Sequence, residues 1–436
     1  MNRIRIGIDG YNLALPNGTG VATYGHTLAS VLLERGHGVE GVFGIDPGQD
    51  PAVRDVLFFE TLGRPAPERT PEQRRREKRR LRRTALLPFL RTRAIDIPLT
   101  GRIVQEQLAE RIPAFTRIVS KARLFDLAHR HFAYYGRMLP LEMADPPSIM
   151  HWTYPVPIRL AGARNLYTLH DLVPLQLPYT TLDSKRGYRR LIATISAGAD
   201  HLCTVSEASK AAIIAEFGID PGRITNTWQS ATVPPDFLAR DVAQDAAIIR
   251  NTFGLTFRSY FLFFGAIEPK KNVGRLLEAY LSLETETPLV VVGGRGWQNE
   301  DEFALLQHAP KGPKGSERVI RLEHLSRPLL LRLIRSARAA LFPSLSEGFG
   351  LPILEAMQFG TPVLTSAISA MPEVAGDAAI LIDPYDTADI ARGLAALDDD
   401  AQLRARLSAL GPKRSAFFSK DLYADRVEAM YAGLLK

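Results

Sequence analysis

The chain has 436 residues, of which 46% are hydrophobic and 23% charged. This composition provides apolar material for packed cores, excludes a disordered or collagen-like chain, and suits two domains of about 200 residues each. The formal net charge is +7, but the segment from Arg64 to Arg93 alone contains twelve Lys and Arg against three Glu, so the rest of the chain is slightly acidic and a generally basic nucleic-acid-binding surface is excluded.

The N-terminal residues show no targeting pattern. Residues Met1 to Asp9 mix short apolar and basic residues and reach an acid before any run long enough for a signal-peptide core. The chain contains no stretch of about 18 apolar residues, so any membrane contact is expected to be peripheral. The lone Cys203 has no second thiol to pair with and is expected to be a small buried residue. We therefore expect a cytoplasmic protein and leave open a peripheral position on the cytoplasmic face of the membrane.

The first half alternates short apolar runs with helix-period segments, which predicts a parallel sheet with crossover helices. Ile4 to Asp9 is the first predicted strand, and the loop from Asn12 to Gly20 leads into a helix with one apolar face. A helix-rich insertion is predicted from about residue 64 to residue 139, because this segment is too long for an ordinary crossover. Further strands are predicted at Ser148 to Trp152, Leu166 to Leu169 and His201 to Val205.

The insertion contains a basic block followed by an apolar one. Residues Arg74 to Arg83 are nearly all Lys or Arg, and an apolar run ending at Leu90 follows. One interpretation is an interfacial helix on anionic lipid, where each basic residue near the surface contributes about 1 kcal/mol. The alternative is a solvated, partly disordered basic loop. We favour peripheral contact with an anionic membrane through Arg74 to Leu90, and no nucleic-acid binding, because no aromatic residues are interleaved with the basic block.

The alternation restarts after a proline-containing stretch, Trp228 to Arg240, which is typical of an interdomain linker. Asn272 is expected to cap the helix that follows the first new strand, and the segment after Ser419 is expected to form a helix that packs back on the first domain. This half predicts a complete doubly wound unit, and we divide the chain at 1–240, 241–418 and 419–436. The predicted strands are Tyr260 to Phe264, Leu289 to Val292, Ala339 to Phe342 and Pro362 to Thr365.

The most informative motif lies between Pro343 and Glu355. A strand ends, Gly348 and Gly350 let the backbone approach a ligand, and a helix begins, so the helix N-terminus can hold an anion such as a diphosphate. Glu347 and Glu355 flank this turn, where carboxylates accept hydrogen bonds from sugar or ribose hydroxyls. The alternative is an ordinary strand-to-helix connection with two solvated acids.

Two further clusters follow predicted strands, at the sheet edge where open α/β sheets bind ligands. Gly265 begins a turn in which Lys271 can neutralise a leaving diphosphate, although two lysines before a helix are more often simply exposed. In the first half, Gly18 and Gly20 open a helix after the first strand. The dinucleotide-binding spacing G-x-G-x-x-G is absent there, because Thr23 stands at the third glycine position.

A final polar pair, His170 and Asp171, ends a predicted strand, and only this position favours a functional role over a structural one. The chain has no Asp-x-Asp motif beside the predicted diphosphate-binding turns that could hold a metal there, since its one such spacing, Asp398 to Asp400, lies elsewhere in the chain. We expect neither a metal nor a cofactor.

Together these residues resemble glycosyltransferase family 4, whose members have the GT-B fold. The E-x7-E spacing from Glu347 to Glu355 with an internal G-F-G is the most specific part of the resemblance, which covers most of the chain. It implies an α/β protein with two Rossmann-like domains facing a cleft, and a retaining hexosyltransferase that uses a nucleotide sugar. One departure is Ala266, because many relatives carry an arginine there for the diphosphate.

The resemblance also implies roles for the site residues. His170, Lys271 and Glu347 would be the catalytic residues: His170 beside the transferred sugar, Lys271 on the diphosphate and Glu347 on the sugar. Glu355 would bind the ribose. The remaining donor-binding residues implied by the resemblance are Gly18, Gly20, Gly265, Gly348, Phe349, Gly350 and Leu351.

The sequence leaves the substrates open. The favoured donor is GDP-mannose, with GDP-fucose and UDP-hexoses as alternatives. The acceptor would be a glycan or a lipid-linked saccharide, with a lipid diphosphate as one candidate carrier. Rival hypotheses are a GT-B nucleotide-sugar epimerase, a sugar-phosphate synthase, and a catalytically silent GT-B binding subunit.

Overall fold

A computed structural model describes residues 3–15, 20–62, 70–86, 92–101, 112–181, 184–231, 233–294, 306, 317–323 and 325–436. The described residues form two large sheets, one before residue 230 and one after residue 260, together with a small three-stranded sheet. Among these residues no helix is long and apolar enough to cross a membrane.

The first large sheet is built on strands that precede residue 230. The strands of this half are β1 (Arg5–Asp9), β2 (Gly38–Phe43), β3 (Thr92–Arg93), β4 (Ile95–Ile97), β5 (Arg117–Ser120), β6 (Leu139–Glu142), β7 (Ile149–Trp152), β8 (Ile158–Leu160), β9 (Arg164–Thr168), β10 (His201–Thr204) and β11 (Ile224–Asn226). The large sheet has the order β11-β10-β9-β7-β1-β2-β5-β4, and β3, β6 and β8 form the small sheet.

β1 occupies the centre of the first large sheet. Ile6 is in register with Val39 of β2 on one side and with Ile149 of β7 on the other, both parallel. All three residues are fully buried, as expected for a parallel sheet covered by helices on both faces. Of the strands described for this sheet, only β4 runs antiparallel, against β5 at the sheet edge.

Helices of the first half cover this sheet and connect its strands. They are α1 (Gly20–Glu34), α2 (Arg54–Thr61), α3 (Pro71–Ala85), α4 (Leu124–Tyr135), α5 (Val173–Gln176), α6 (Lys185–Gly198) and α7 (Glu207–Phe217). The short α8 (Pro235–Leu238) and then α9 (Val242–Phe253) lead to the second large sheet, and Asp245 of α9 pairs with Arg332 and Arg335 of that half.

The segment from residue 64 to residue 139, which we expected to be a helix-rich insertion, contains helices and also supplies strands to the sheets. It contributes β5 to the first large sheet, where Glu40 of β2 pairs in register with Arg117. Ile118 and Val119 of this strand are 2% and 0% exposed. A strand of four residues gives no periodic signal longer than one helical turn, so the sequence pattern hid it among the flanking helices.

The basic block of this segment forms the helix α3, not a disordered loop. Thr70 and Gln73 form a capping box at its start, and Pro71 occupies its first turn. Leu81 and Ala85 are buried, whereas the described arginine and lysine side chains of the helix are exposed. α3 therefore attaches to α4 by a narrow apolar stripe and turns a cationic face outward.

The second large sheet confirms the predicted doubly wound unit. Its strands are β12 (Phe261–Phe264), β13 (Leu289–Val292), β14 (Val319–Leu322), β15 (Ala339–Phe342), β16 (Val363–Ser366) and β17 (Ala379–Ile382). They pair in parallel in the order β14-β13-β12-β15-β16-β17, so the strand order reverses between β12 and β15. In such a sheet, ligands bind outside the carboxyl ends of the strands at the reversal.

Helices cover this sheet as well, and the last one returns to the first. They are α10 (Val273–Leu281), α11 (Arg327–Ser336), α12 (Leu351–Gln358), α13 (Met371–Ala375), α14 (Thr387–Asp399), α15 (Ala401–Ala416) and α16 (Lys420–Leu434). α16 packs against α1, where Glu428 accepts a hydrogen bond at 2.8 Å from Nε2 of His37 and Asp425 pairs with Arg35 at 2.8 Å.

Candidate active site

The carboxyl ends of the two large sheets meet at a seam, where the loop after β9 contacts the loop after β15. A Cβ atom placed on Gly348 would lie 2.6 Å from the carbonyl oxygen of His170, so only glycine permits this approach. Oγ of Ser209 donates to the same carbonyl at 2.8 Å and lies 3.4 Å from the carbonyl oxygen of Gly348. The seam thus brings His170 to the E-x7-E motif.

One side of the seam, here called the charged side, consists of Glu268, Lys270, Lys271 and Glu347. Nζ of Lys271 lies 2.5 Å from Oε1 of Glu347, and these side chains are 17% and 14% exposed. Nζ of Lys270 lies 3.5 Å from Oε1 of Glu268. The structure therefore brings together Lys271 and Glu347, two of the three predicted catalytic residues, as a partly accessible ion pair.

Electrostatics on the charged side favours the ionised forms. Burial acts to raise the pKa of Glu347, but the positive charges of Lys271 and Lys270 outweigh it and hold that pKa below its usual range. Burial acts to lower the pKa of Lys270, and the carboxylates of Glu347, Asp171 and Glu268 reverse this and raise it. Glu347 and Lys270 are therefore ionised at neutral pH, and this side of the seam can receive a charged ligand without a proton transfer at either residue.

The backbone of Glu347 is held by a serine from the loop after β16. Oγ of Ser369 accepts from the amide of Glu347 at 3.2 Å and donates to its carbonyl at 2.8 Å. The amide of Leu345 donates to the carbonyl of Lys270 at 2.7 Å, which joins the loops after β12 and β15. These bonds fix the acid and the lysines relative to each other.

Asn272 does not cap α10 with its side chain, contrary to our expectation. Its φ is 60°, and its Nδ2 donates to the carbonyls of Pro343 and Pro384 at 3.0 and 2.8 Å. Asparagine tolerates this left-handed conformation better than most residues. The side chain therefore ties together the loops after β12, β15 and β17, and it supports the turn that contains Lys271.

The glycines at two of the predicted turns have positive φ. Gly265 directly follows β12 with φ 142°, and Gly350 precedes α12 with φ 111°. Residues other than glycine rarely adopt these backbone angles. Phe349 is buried with its ring 5.4 Å from that of Phe418, so this turn is also packed from below. Leu351 begins α12 and lines a cavity of about 600 Å³ between α12 and α1.

Glu355, the predicted ribose ligand, faces the same cavity but is ion-paired. Nη1 and Nη2 of Arg327 lie 3.2 and 2.6 Å from its two carboxylate oxygens. Gly20 begins α1, and a Cβ atom there would meet nothing within 4 Å. Gly18 lies outside the described residues.

The other side of the seam, here called the histidine side, consists of Asp9, Thr153 and His170. Nε2 of His170 donates to the carbonyl of Thr153 at 2.9 Å, and Oγ1 of Thr153 donates to Oδ2 of Asp9 at 2.9 Å. Burial lowers the pKa of His170 and raises that of Asp9 to about 6. The imidazole is neutral at pH 7 with its proton on Nε2, so Nδ1 is an acceptor, and it has no partner among the described residues.

Several residues of the seam escaped the sequence reasoning. Besides Thr153 and Ser369, Glu373 crosses the seam: its carboxylate accepts from the amides of Glu207 and Ala208 at 2.9 and 3.2 Å, at the N-terminus of α7. These residues belong to no motif, because each acts through contacts far along the chain. Asp9 did carry a signal, since an acid directly after a buried strand is uncommon except near a ligand or a hydrogen-bonded loop.

Two family models match the chain. The model described as glycosyl transferases group 1 matches residues 249–414, and that of glycosyltransferase family 4 matches residues 99–225. The O-antigen chain mannosyltransferase B of Escherichia coli is 34% identical over 245 residues, which cover 55% of this chain and 62% of that relative. The chain therefore spans less than two thirds of that relative's length.

Solved structures share the fold at low identity. Sucrose-phosphate synthase from Thermosynechococcus elongatus aligns with a TM-score of 0.65 at 19% identity, over 99% of each chain. Anabaena HepE in complex with UDP and glucose aligns with a TM-score of 0.63 at 15% identity, over 99% of this chain and 100% of HepE. These alignments and the two parallel sheets confirm the predicted α/β fold class, GT-B.

Proposed function

Because the chain belongs to the group 1/family 4 glycosyltransferases, we propose that it transfers a hexose, with retention, from a nucleotide sugar to a saccharide acceptor. The observation that supports this best is the ion pair of Lys271 and Glu347, joined at 2.5 Å and partly accessible, at the point where the second sheet reverses its strand order. Opposite this pair stands the neutral acceptor Nδ1 of His170.

In this proposal the charged residues and the neutral His170 have different roles. Lys271 neutralises the departing nucleoside diphosphate, and the turn from Gly348 to Leu351 presents backbone amides at the start of α12. Glu347, released from Lys271 by the diphosphate, accepts hydrogen bonds from the sugar hydroxyls. His170 accepts one from the opposite side. Stabilisation of the leaving group and positioning of the acceptor then supply most of the barrier reduction.

Ala266 stands where many relatives have a second cation, so the diphosphate depends more strongly on Lys271. Lys270 is the nearest replacement, because it lies in the same turn and remains charged beside Glu347, Asp171 and Glu268. Glu355 would bind the ribose, which requires its bonds to Arg327 to rearrange. We propose no metal or other cofactor for this reaction.

Mannose from GDP-mannose is the donor that we propose first. The relative with 34% identity bears the name mannosyltransferase, which supports the sugar but not the base. The HepE complex contains UDP and glucose, which supports a nucleotide-sugar site in this fold and keeps UDP-hexoses as the alternative. The acceptor would be a glycan made in the cytoplasm, either free or linked to a lipid diphosphate.

The first experiment is a thermal-shift and calorimetric screen against GDP, UDP, dTDP and ADP sugars. A ligand of the native state raises its apparent stability, so one responding nucleotide identifies the donor class. Transfer and donor hydrolysis are then measured with that sugar. If no nucleotide binds, a catalytically silent GT-B subunit becomes the better description. If a free epimerised sugar nucleotide or a soluble sugar phosphate is formed, the epimerase or synthase alternative replaces the transferase.

We also propose that α3 contacts anionic membranes. Its described basic side chains are exposed on one surface while Leu81 and Ala85 bind it to the protein. Substituting Arg75, Arg79 and Arg83 by Gln keeps the apolar stripe and removes about 3 kcal/mol of surface attraction, or roughly a hundredfold in vesicle partitioning.

The matched control removes three exposed basic residues of the second half, Arg392, Arg406 and Lys413, also by substitution with Gln. Sedimentation with vesicles of phosphatidylglycerol and phosphatidylcholine measures both variants. If the two variants bind vesicles equally, the basic face of α3 is an ordinary solvated surface and the proposed membrane contact is wrong. Donor binding should be the same in both.

A further inference from the structure

A chain of buried polar side chains runs behind His170 and ends on the C-terminal helix. Nδ1 of His151 lies 2.7 Å from the hydroxyl of Tyr431 in α16, and its Nε2 lies 2.7 Å from Oγ1 of Thr168. Oγ1 of Thr168 in turn lies 2.9 Å from the hydroxyl of Tyr24 in α1. The ring of Tyr24 meets that of His170 edge-on, at 5.0 Å between centroids and 88° between planes.

Every member of this chain is withdrawn from water. His151, Thr168 and Tyr431 are 0% exposed and Tyr24 is 2% exposed. Burial, with a smaller contribution from the nearby His170, lowers the pKa of His151 to about 3, so its imidazole is neutral. A neutral imidazole donates through one nitrogen and accepts at the other. Both hydroxyl partners of His151 are therefore satisfied, in whichever direction the hydrogen bonds of the network run. A fully satisfied buried network of this kind has one geometry.

This network packs against His170, whose ring orientation is not fully fixed by its own hydrogen bond. The bond from Nε2 of His170 to the carbonyl of Thr153 fixes one point of the ring, and the ring could still tilt about it. The edge-on contact with Tyr24 removes that freedom, because the phenol is held at its far end by Thr168. Tyr24 therefore determines where Nδ1 of His170 points.

We propose that Tyr24, anchored through Thr168 and His151 to Tyr431, is a positioning residue for His170 that holds Nδ1 toward the transferred sugar. The role at the sugar rests on the proposed function. The mechanical part does not: the C-terminal helix, which follows the second sheet in sequence, sets the orientation of a site residue on the first sheet.

The primary test observes the imidazole directly and needs no donor. In the full-length protein labelled with ¹⁵N-histidine, the nine histidines include His170, whose signals are assigned by their loss in His170→Gln. We expect a single neutral tautomer with the proton on Nε2 in the wild type. Tyr24→Ala admits water and rotation, so we expect a mixture of tautomers and a titration midpoint moved upward toward the ordinary range.

Other groups around the imidazole also influence this titration. Asp171 and Lys270 act on it in opposite directions, and His151 lies behind Tyr24. None of these is altered in Tyr24→Phe or in Tyr431→Phe, which keep the side-chain volume and remove only a hydroxyl. These two variants also keep the test valid if Tyr24→Ala fails to fold. We expect each to shift the tautomer ratio in the same direction, by less than Tyr24→Ala.

The matched control is Tyr260→Phe. It also loses one buried phenol bond, at 2.7 Å to the carbonyl of Leu333, but it lies at the start of β12, away from His170. Its His170 signals should be unchanged. The positioning role is overturned if Tyr24→Phe, Tyr431→Phe and Tyr24→Ala all keep the wild-type tautomer and midpoint.

Kinetics links this test to the reaction. We expect Tyr24→Phe to lower kcat roughly tenfold while the KM for the donor changes little, because misplacement of one acceptor affects the transition state most. The acid limb of the kcat/KM profile should move to higher pH, which a mere loss of folded protein would not cause. If His170→Gln leaves transfer intact, the proposed site is wrong; if His170→Gln abolishes transfer and the tyrosine variants do not affect it, only the positioning role is wrong.

Discussion

The two sides of the seam hold their functional groups by opposite means. On the charged side the pairs Lys270–Glu268 and Lys271–Glu347 have side chains that are 7% to 21% exposed. On the histidine side His170 is held by neutral hydrogen bonds to groups such as Thr153, which is 1% exposed. Ion pairs near water exchange partners at little cost, whereas buried neutral networks keep one arrangement. The charged side is thus suited to receive a charged group, and the histidine side to orient a neutral one.

The largest expected effect comes from substitutions that remove a charge from the charged side. Lys271→Ala or Glu347→Gln should lower kcat by about 10² to 10³-fold, because each removes charge or hydrogen bonding where the leaving group and the sugar react. The melting temperature should change little, since the pair is partly exposed. Steady-state transfer assays and thermal unfolding measure the two quantities.

The control for these variants is Arg392→Ala, which removes one charge from an exposed pair with Asp389 and should leave both quantities unchanged. The double variant of Lys271 and Glu347 gives the sharpest outcome. If it is folded and transfers at the normal rate, the charged side is not the catalytic centre.

A second effect concerns the contact between the two sides. Gly348→Ala would place a Cβ atom 2.6 Å from the carbonyl of His170, so the loops must separate, at a cost of about 1 to 3 kcal/mol. Gly20→Ala, at the other predicted donor glycine, meets nothing within 4 Å and should leave the unfolding free energy nearly unchanged. Urea unfolding of both variants measures the difference. Equal stabilities would mean that the loops yield freely and that the seam is not a fixed contact.

The smallest expected effect is the pH dependence of the unfolding free energy that arises from the buried imidazoles of His151 and His170. His151 and His170 are neutral in the folded state because burial lowers the pKa of both, to about 3 for His151. Below about pH 6.5 each of these imidazoles therefore binds more protons in the unfolded chain than in the native one and lowers the free energy of unfolding as the pH falls, whereas Asp9, whose pKa is raised to about 6, acts in the opposite direction. From pH 7.5 to pH 5.5 His151 should account for about 1 kcal/mol of such a loss.

His151→Gln should remove its share of this pH dependence, whatever its stability at pH 7.5. Tyr260→Phe, which changes no imidazole, should keep the wild-type slope even if it is less stable. Urea unfolding at both pH values gives the slopes. An unchanged slope in His151→Gln would show that His151 is not held neutral.

The sequence predicted the elements more completely than the site. The strands at Leu289–Val292 and Ala339–Phe342 were predicted with their observed bounds, because short apolar runs between turn residues mark buried parallel strands. Lys271 and Glu347 were assigned to one site by the resemblance to glycosyltransferase family 4, because their places at strand ends alone left simple exposure of the lysine as the more frequent alternative. The bond between Asn272 and the loops of Pro343 and Pro384 was not predicted, because a left-handed asparagine and a capping asparagine look alike in a sequence.

Local pattern by itself determined the alternation of strands and helices in both halves and the candidate motif, since each depends on residues near one another in the chain. Tertiary structure alone decided how the motif is supported. Lys271 and Glu347 are 76 positions apart, Tyr24 and Thr168 144, and His151 and Tyr431 280. Such contacts arise only when burial forces distant polar groups to satisfy one another, and no periodicity records that requirement.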